Sequence, residues 1–267
     1  MARCSNGESV LSRVLRILEL FDSSAPTLTV SALARRSGLP LPTVSRLVNE
    51  MVGQGLLERT EDRGVRTGMT LWELASRAAP TLRLRDVAMP FMEDLHAVVG
   101  HHVQLAVLQE REVLIVERLS SPGAVHNISR IAGRLPLHVS SAGLILLAHS
   151  PSEFQEMVVS GQHGPLRGYT SRTVTDERNL RALLCEIRRT GLAYCPGFVD
   201  ERATGAAVPL RDGTGAVLAA LSAVVPNDGE ARAVVPALVT TGRSISRALA
   251  AAGQRPAGPV ATPHLSR

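Results

Sequence analysis

A glycine at position 38, set between two short segments of helical period, constrains this chain more than any other residue. The segment after Thr29 turns Leu33 and Ala34 inward and stops at Gly38, which suits the left-handed position after a helix where a Cβ would be strained. After Leu39 to Pro42 a second run, Thr43 to Val52, puts Val44, Leu47, Val48 and Met51 at i, i+3, i+4 and i+7, one apolar stripe. An earlier helix from Val10 to Phe21 has Ser9 as N-cap and its own stripe of Val10, Leu11, Val14, Leu15, Leu18 and Phe21. Short helices joined by a tight glycine turn form a helix-turn-helix.

Residues 53–67 add a wing. Gly53 to Gly55 ends the helix, Leu56 to Thr60 reads as a strand, Glu61 to Gly64 as a turn, and Val65 to Thr67 as the returning strand. Thr43, Ser45, Arg46 and Asn49 lie on or beside the face of their helix that the apolar stripe leaves free. In a DNA major groove an arginine reaches guanine O6 and N7, an asparagine pairs with adenine N6 and N7, and hydroxyls reach phosphates or bases. Arg35, Arg36, Arg59, Arg63 and Arg66 then suit the phosphate path, giving salt-sensitive affinity without reading sequence. The charge distribution agrees. There is no lysine; residues 1–85 carry 12 arginines against 8 acids, and residues 86–267 carry 17 against 16. A three-helix protein-interaction module with solvated arginines is the competing reading, but the ordered combination of helix, glycine turn, polar helix and basic hairpin favours double-stranded DNA.

Beyond the wing, a helix over Thr70 to Ala79 reads as a linker closed by Pro80, and a second from about Thr81 keeps Leu84, Val87, Ala88, Phe91, Met92, Leu95, Val98 and Val99 in period, with Pro90 expected to bend it. Strands are expected at Val103 to Leu108 and Val113 to Val116, a third at Ala124 to Ile131, and two more flanking the turn Arg211 to Gly215. Leu180, Leu183, Leu184 and Ile187 mark a helix ending before Gly191, and a last helix runs from about Ala231 to Ala251. The fold class is therefore α+β, an antiparallel sheet covered by helices behind a winged helix-turn-helix. The expected divisions are 8–69 for the winged domain, 70–82 for the linker helix, 83–252 for the larger domain and 253–267 for a disordered Pro- and Gly-rich tail.

Several classes are excluded on composition and spacing. No apolar run approaches the roughly 18 to 20 residues of a membrane span, and the first residues lack a signal-peptide pattern, so a cytoplasmic protein is expected. Cys4, Cys185 and Cys195 have no CxxC spacing, and His96, His101 and His102 have no ligand partners nearby, so neither a metal nor a cofactor is expected. His138 with Ser140 and Ser141, or Cys195 alone, could suggest nucleophilic chemistry. However, there is no Gly-x-Ser-x-Gly elbow, no phosphate loop and no acid to orient His138, so no catalytic residue is assigned. A ligand-binding or catalytic Ser/Cys domain with a non-DNA interaction module stays as the alternative.

The ordered motifs LSRVLRIL (Leu11 to Leu18), SALARRSGLP (Ser31 to Pro40), TVSRLV (Thr43 to Val48) and QGLL (Gln54 to Leu57) resemble the IclR family of bacterial regulators. The second half agrees in order, with GRLPLH from Gly133, SSAG from Ser140, RRTG from Arg188, GAAVPL from Gly205 and ISRAL from Ile245. The resemblance implies a GAF-like α/β effector domain, dimers or tetramers, a palindromic operator, a small organic or aromatic acid as effector, and repression rather more than activation. It also implies an effector site of Ser141, Ala142, Cys195, Gly205, Ser222 and Val224. Departures from the family pattern at Leu144, at Val224 to Pro226 and at Cys195 all remove polarity, which points to an apolar-bodied effector held by Ser222, Ser141 and backbone amides. The wing, Val65 to Gly68, lacks the family's tyrosine.

Overall fold

The structure, a computed structural model, describes residues 8–22, 25–78, 80–162 and 164–253. Cys4 and the tail beyond residue 253 lie outside these. The chain divides into two compact units, Met1–Pro80 and Thr81–Arg267.

The first unit holds α1 (Val10–Leu18), β1 (Thr27–Thr29), α2 (Val30–Ser37), α3 (Leu41–Gly53), β2 (Leu57–Arg59), β3 (Gly64–Thr67) and α4 (Met69–Ala78). Ser9 and Thr29 cap α1 and α2 through their hydroxyls, and Gly38 ends α2 at φ 69°. The predicted stripe of α3 is the buried one: Val44, Leu47, Val48 and Met51 pack with Ile17, Leu33, Leu57 and Val65. The strands form an antiparallel sheet in the order β1-β3-β2, so the wing hairpin gains a third strand that precedes α2. Residues Thr27–Thr29 are too short for a periodic signal.

The second unit runs α5 (Pro80–Val99), β4 (His102–Gln109), β5 (Glu112–Ser120), β6 (Arg134–Pro136), α6 (Ser141–Ala148), α7 (Ser152–Val159), α8 (Glu177–Thr190), β7 (Ala193–Pro196), β8 (Ala203–Arg211), β9 (Val217–Pro226) and α9 (Val235–Gly253). Pro80, read from sequence as closing one helix, opens the next; the first turn of a helix tolerates the missing N–H. Pro90 lies inside α5. The last helix begins as a 3-10 turn over Ala231–Val234.

The six strands form one antiparallel sheet in the order β6-β5-β4-β9-β8-β7. Alternation along β9 divides its residues between two cores. Ala219, Leu221 and Ala223 pack with Leu84, Ala88, Met92 and Leu95 of α5 and Leu238 and Ile245 of α9. Ala220 packs with the α6, α7 and α8 side. Helix α6 is buried along its whole length, and Gly143 lets it approach: a Cβ there would lie 2.3 Å from the Leu137 carbonyl oxygen.

The strand expected at Ala124 to Ile131 does not form. Over Glu112–Ile115 the edge of β5 is already taken, by β6 at Glu112–Leu114 and by backbone bonds from the Ile115 N–H to the Gly133 carbonyl and from the Ala132 N–H to the Ile115 carbonyl. Side chains hold the displaced segment instead: His102 to the Val125 carbonyl at 2.6 Å, and Arg118 to the Ser129 carbonyl.

Candidate functional site

On the first unit, burial of the α3 stripe leaves Arg46 and Asn49 exposed, with Thr43 and Ser45 half-buried beside them. Neither exposed side chain is idle. Arg46 Nη1 meets Glu50 Oε1 at 2.6 Å one turn on, and Arg59 of β2 donates to Asn49 Oδ1 at 2.6 Å. Arg66 pairs with Glu58 across the hairpin. Arg63 stands exposed at the wing tip with φ 61°, beside Gly64. Arg35 and Arg36 project from the last turn of α2 and have no ion-pair partner among the described residues. Exposed pairs of this kind are worth about 0.5 kcal/mol or less, so a phosphate or base edge displaces them at little cost.

The second unit contains a cavity of about 570 Å³, its solvent-facing mouth included. Strand register builds the floor from two rungs of one face. Cys195, Gly205 and Val224 align across β7, β8 and β9, and Gln104 and Ser222 align across β4 and β9. The start of α6 forms another wall through Ser140, Ser141 and Ala142. Ser140 Oγ accepts from the Gly143 N–H at 3.1 Å, and Ser141 Oγ has no hydrogen-bond partner among the described residues. A Cβ on Gly205 would stand 2.9 Å from Ser141 Oγ, so the bare glycine leaves that hydroxyl its place beside the strand. All six residues singled out in the sequence line this one cavity.

The cavity is more polar than the sequence suggested. Gln104 and Ser129 are buried within it, Asn127 lies beside them, and His126 meets Asp200 at 3.3 Å on its lining. Beside Ser222, Ser141 and the backbone amides expected to do most of the hydrogen bonding, the lining therefore adds Gln104, Asn127 and Ser129. Gln104 resides on β4 and His126, Asn127 and Ser129 on the 121–133 connection, both apart in sequence from the small-residue motifs at Ser140 and Gly205, while Asp200 comes from the β7–β8 connection. A glutamine within the apolar run Val103 to Leu108 was the one available signal. The Arg202 guanidinium beside Asp200 holds its carboxyl well below the usual carboxylate range.

Nucleophilic chemistry finds no support in this geometry. Complete burial pushes the Cys195 thiol far up, away from the reactive thiolate. His138 Nε2 lies 3.0 Å from the Arg167 carbonyl oxygen, so the ring bonds to backbone rather than to Ser140 or Ser141. Burial also lowers the pKa of His138. No cluster of three or more potential metal ligands occurs among the described residues, and no helix there is long and apolar enough to cross a membrane.

Residues 10–61 match the IclR helix-turn-helix domain, and residues 76–247 match the C-terminal domain of bacterial transcriptional regulators of the IclR type. The chain belongs to the IclR family. Among its relatives, the helix-turn-helix transcriptional regulator Rv1719 of Mycobacterium tuberculosis is 30% identical over 224 residues, 83% of this chain and 84% of that protein. The transcriptional repressor IclR of Escherichia coli is 28% identical over 187 residues, covering 69% and 68% of the two chains. A crystal structure of an IclR homolog from Microbacterium hydrocarbonoxydans complexed with 4-hydroxybenzoate shares 47% identity and a TM-score of 0.85, over 91% of this chain and all of that one. The IclR-family chain described here is accordingly a DNA-binding transcriptional regulator with a C-terminal effector-binding domain.

Proposed function

We propose that this regulator is a cytoplasmic repressor whose effector is a monoaromatic carboxylic acid bound in the cavity between α6 and the sheet. The observation that carries this reading is the pairing of two kinds of wall in one cavity. The first-turn N–H groups of α6 favour a carboxylate, while Ile115, Leu135, Val139, Phe198 and Val224 favour a flat apolar body. The 4-hydroxybenzoate complex of the 47% identical homolog supports the same class. Ser141, Ala142, Cys195, Gly205, Ser222 and Val224 are the proposed effector-binding residues. Calorimetric titration against benzoates and against aliphatic keto acids tests this: benzoates bind and glyoxylate and pyruvate do not. In Ala142→Leu the added bulk abolishes benzoate binding while operator binding without ligand persists. Tight binding of pyruvate with no binding of any benzoate overturns the reading.

DNA contact is assigned to Arg35, Arg36, Thr43, Ser45, Arg46, Asn49, Arg59, Arg63 and Arg66, and the operator is palindromic because the protein is a homodimer or a dimer of dimers. The dimer reading rests on apolar side chains left exposed in the first unit: Leu11 at 67%, Met69 at 65% and Trp72 at 66%. Light scattering at micromolar concentration finds at least a dimer; a monomer with and without operator rejects it.

A further inference from the structure

Part of the cavity lining is a chain of side-chain hydrogen bonds whose direction is fixed from one end. The Ser129 backbone N–H donates to Asn127 Oδ1 at 3.0 Å. A backbone N–H only donates, so the atom facing it must be the amide oxygen, and a flipped Asn127 would set donor against donor. Nothing pulls the amide the other way, because Asn127 Nδ2 is buried without a partner among the described residues.

The next links follow by necessity. Ser129 Oγ lies 2.6 Å from the same Oδ1, and since an amide oxygen only accepts, the hydroxyl spends its single proton there. Ser129 Oγ must then accept from Gln104, and the atom it meets is Nε2. Gln104 Oε1 is thereby turned toward Ser222. The Ser222 hydroxyl donates to it over 3.5 Å, long against the usual 2.7–2.8 Å of an O–H···O bond. Gln104 and Ser222, 4% and 1% exposed, thus offer under-used acceptor lone pairs at a buried place in the cavity.

We propose that Gln104 and Ser222 select effectors carrying a hydrogen-bond donor on the ring, a hydroxyl or an amino group, with Asn127 and Ser129 as positioning residues that hold the glutamine's acceptor in place. The inference rests on the aromatic-acid reading and adds what that reading leaves open, the substituent. A ring without a donor leaves Gln104 Oε1 with only the long Ser222 bond and leaves Ser222 Oγ accepting nothing, which costs binding about tenfold to a hundredfold. Gln104 Oε1 offers a carboxylate no donor, whereas the first-turn N–H groups of α6 do, so the acid group is directed to the start of α6.

The test is calorimetric titration of the full-length protein with benzoate and with its 3- and 4-hydroxy, amino and fluoro derivatives. Hydroxy- and aminobenzoates of one ring position bind at least about tenfold more tightly than the fluoro analogue at that position and than benzoate. In Asn127→Ala the pin on Ser129 is lost, Gln104 is free to present either end, and that ratio falls toward one. Asn127→Asp keeps an oxygen facing the Ser129 N–H and retains the ratio, even where the added charge weakens every acid alike. A purely structural Asn127 would change all affinities together and leave the ratio intact, which overturns the positioning role. Equal binding of all substituted benzoates to the unaltered protein overturns the selection while leaving the aromatic-acid reading standing. Failure of every benzoate to bind overturns both.

Discussion

The two units carry their polar chemistry in opposite ways. In the DNA-binding unit Arg46, Asn49, Arg59 and Arg66 are exposed, and their partners are other surface groups with which water already competes. In the effector domain Gln104, Ser129 and Ser222 are buried, and each is oriented by the next. The first arrangement is adaptable, because an exposed pair gives way to a phosphate for about 0.5 kcal/mol or less. The second is preorganised, because turning any one group strands another away from water. A regulator gains from the difference: its DNA face exchanges partners, while its pocket rejects ligands of the wrong polarity.

The contrast extends to the cores, and there it breaks most visibly. The first unit depends on one compact apolar cluster around Leu33, which is fully buried. Leu33→Ala should cost about 3 kcal/mol and abolish operator binding, while calorimetry still finds effector binding in the same sample. Loss of both activities together would mean that the units do not fold independently. Gly143→Ala makes the opposite cut. Its Cβ would press on the Leu137 carbonyl oxygen and Cα, so about 2 kcal/mol of destabilisation should fall on the effector domain and remove ligand binding. Basal DNA binding persists.

These positions also mark where the sequence was readable. The α3 stripe, the Gly38 stop and the cap at Ser9 are local patterns, and local patterns survive in one dimension. The six cavity residues were reached through family motifs; strand register brings Cys195, Gly205, Ser222 and Val224 together, and the start of α6 adds Ser141 and Ala142. The polar lining was not legible, because its bonds join residues 25 positions apart between Gln104 and Ser129 and 118 apart between Gln104 and Ser222. The segment Ala124 to Ile131 is held by the side chains of His102 and Arg118 instead of by strand pairing, a fact that only the assembled sheet reveals. β6 and β7, at 3 and 4 residues, exist because neighbouring strands accept them rather than because their own composition demands it.

A smaller effect sharpens the picture of the DNA face. Arg46→Ala should weaken operator binding by about 1 to 3 kcal/mol and narrow the gap between operator and random DNA, with stability nearly unchanged. Glu50→Gln releases Arg46 from its partner and should tighten DNA binding by a few tenths of a kcal/mol, the worth of an exposed i,i+4 pair. Arg36→Ala, by contrast, should weaken all sequences alike and reduce the salt dependence by about one counterion. Gel shifts at several salt concentrations separate the three. An Arg46 variant that discriminates as well as the parent removes that residue from base reading.

The smallest expected effect is a pH dependence confined to one unit. Residues 1–80 contain no histidine, whereas burial lowers the pKa of His102, His138 and His149 in the effector domain below the ordinary 6.5. Backbone carbonyls of Val125, Arg167 and Ile145 oppose that shift without cancelling it, and nearby arginines add to it at His102 and His149. A lowered pKa means that the unfolded chain binds more protons than the folded one just below pH 6.5. Stability is therefore full above 6.5 and is lost as pH falls from there through the depressed folded values. Between pH 7.5 and 5.5 the melting midpoint of the effector domain should drop while that of the DNA-binding unit holds. His149→Gln should flatten part of the slope, since the side chain then carries no titrating proton. Equal acid sensitivity of both units would assign the effect to groups other than these histidines.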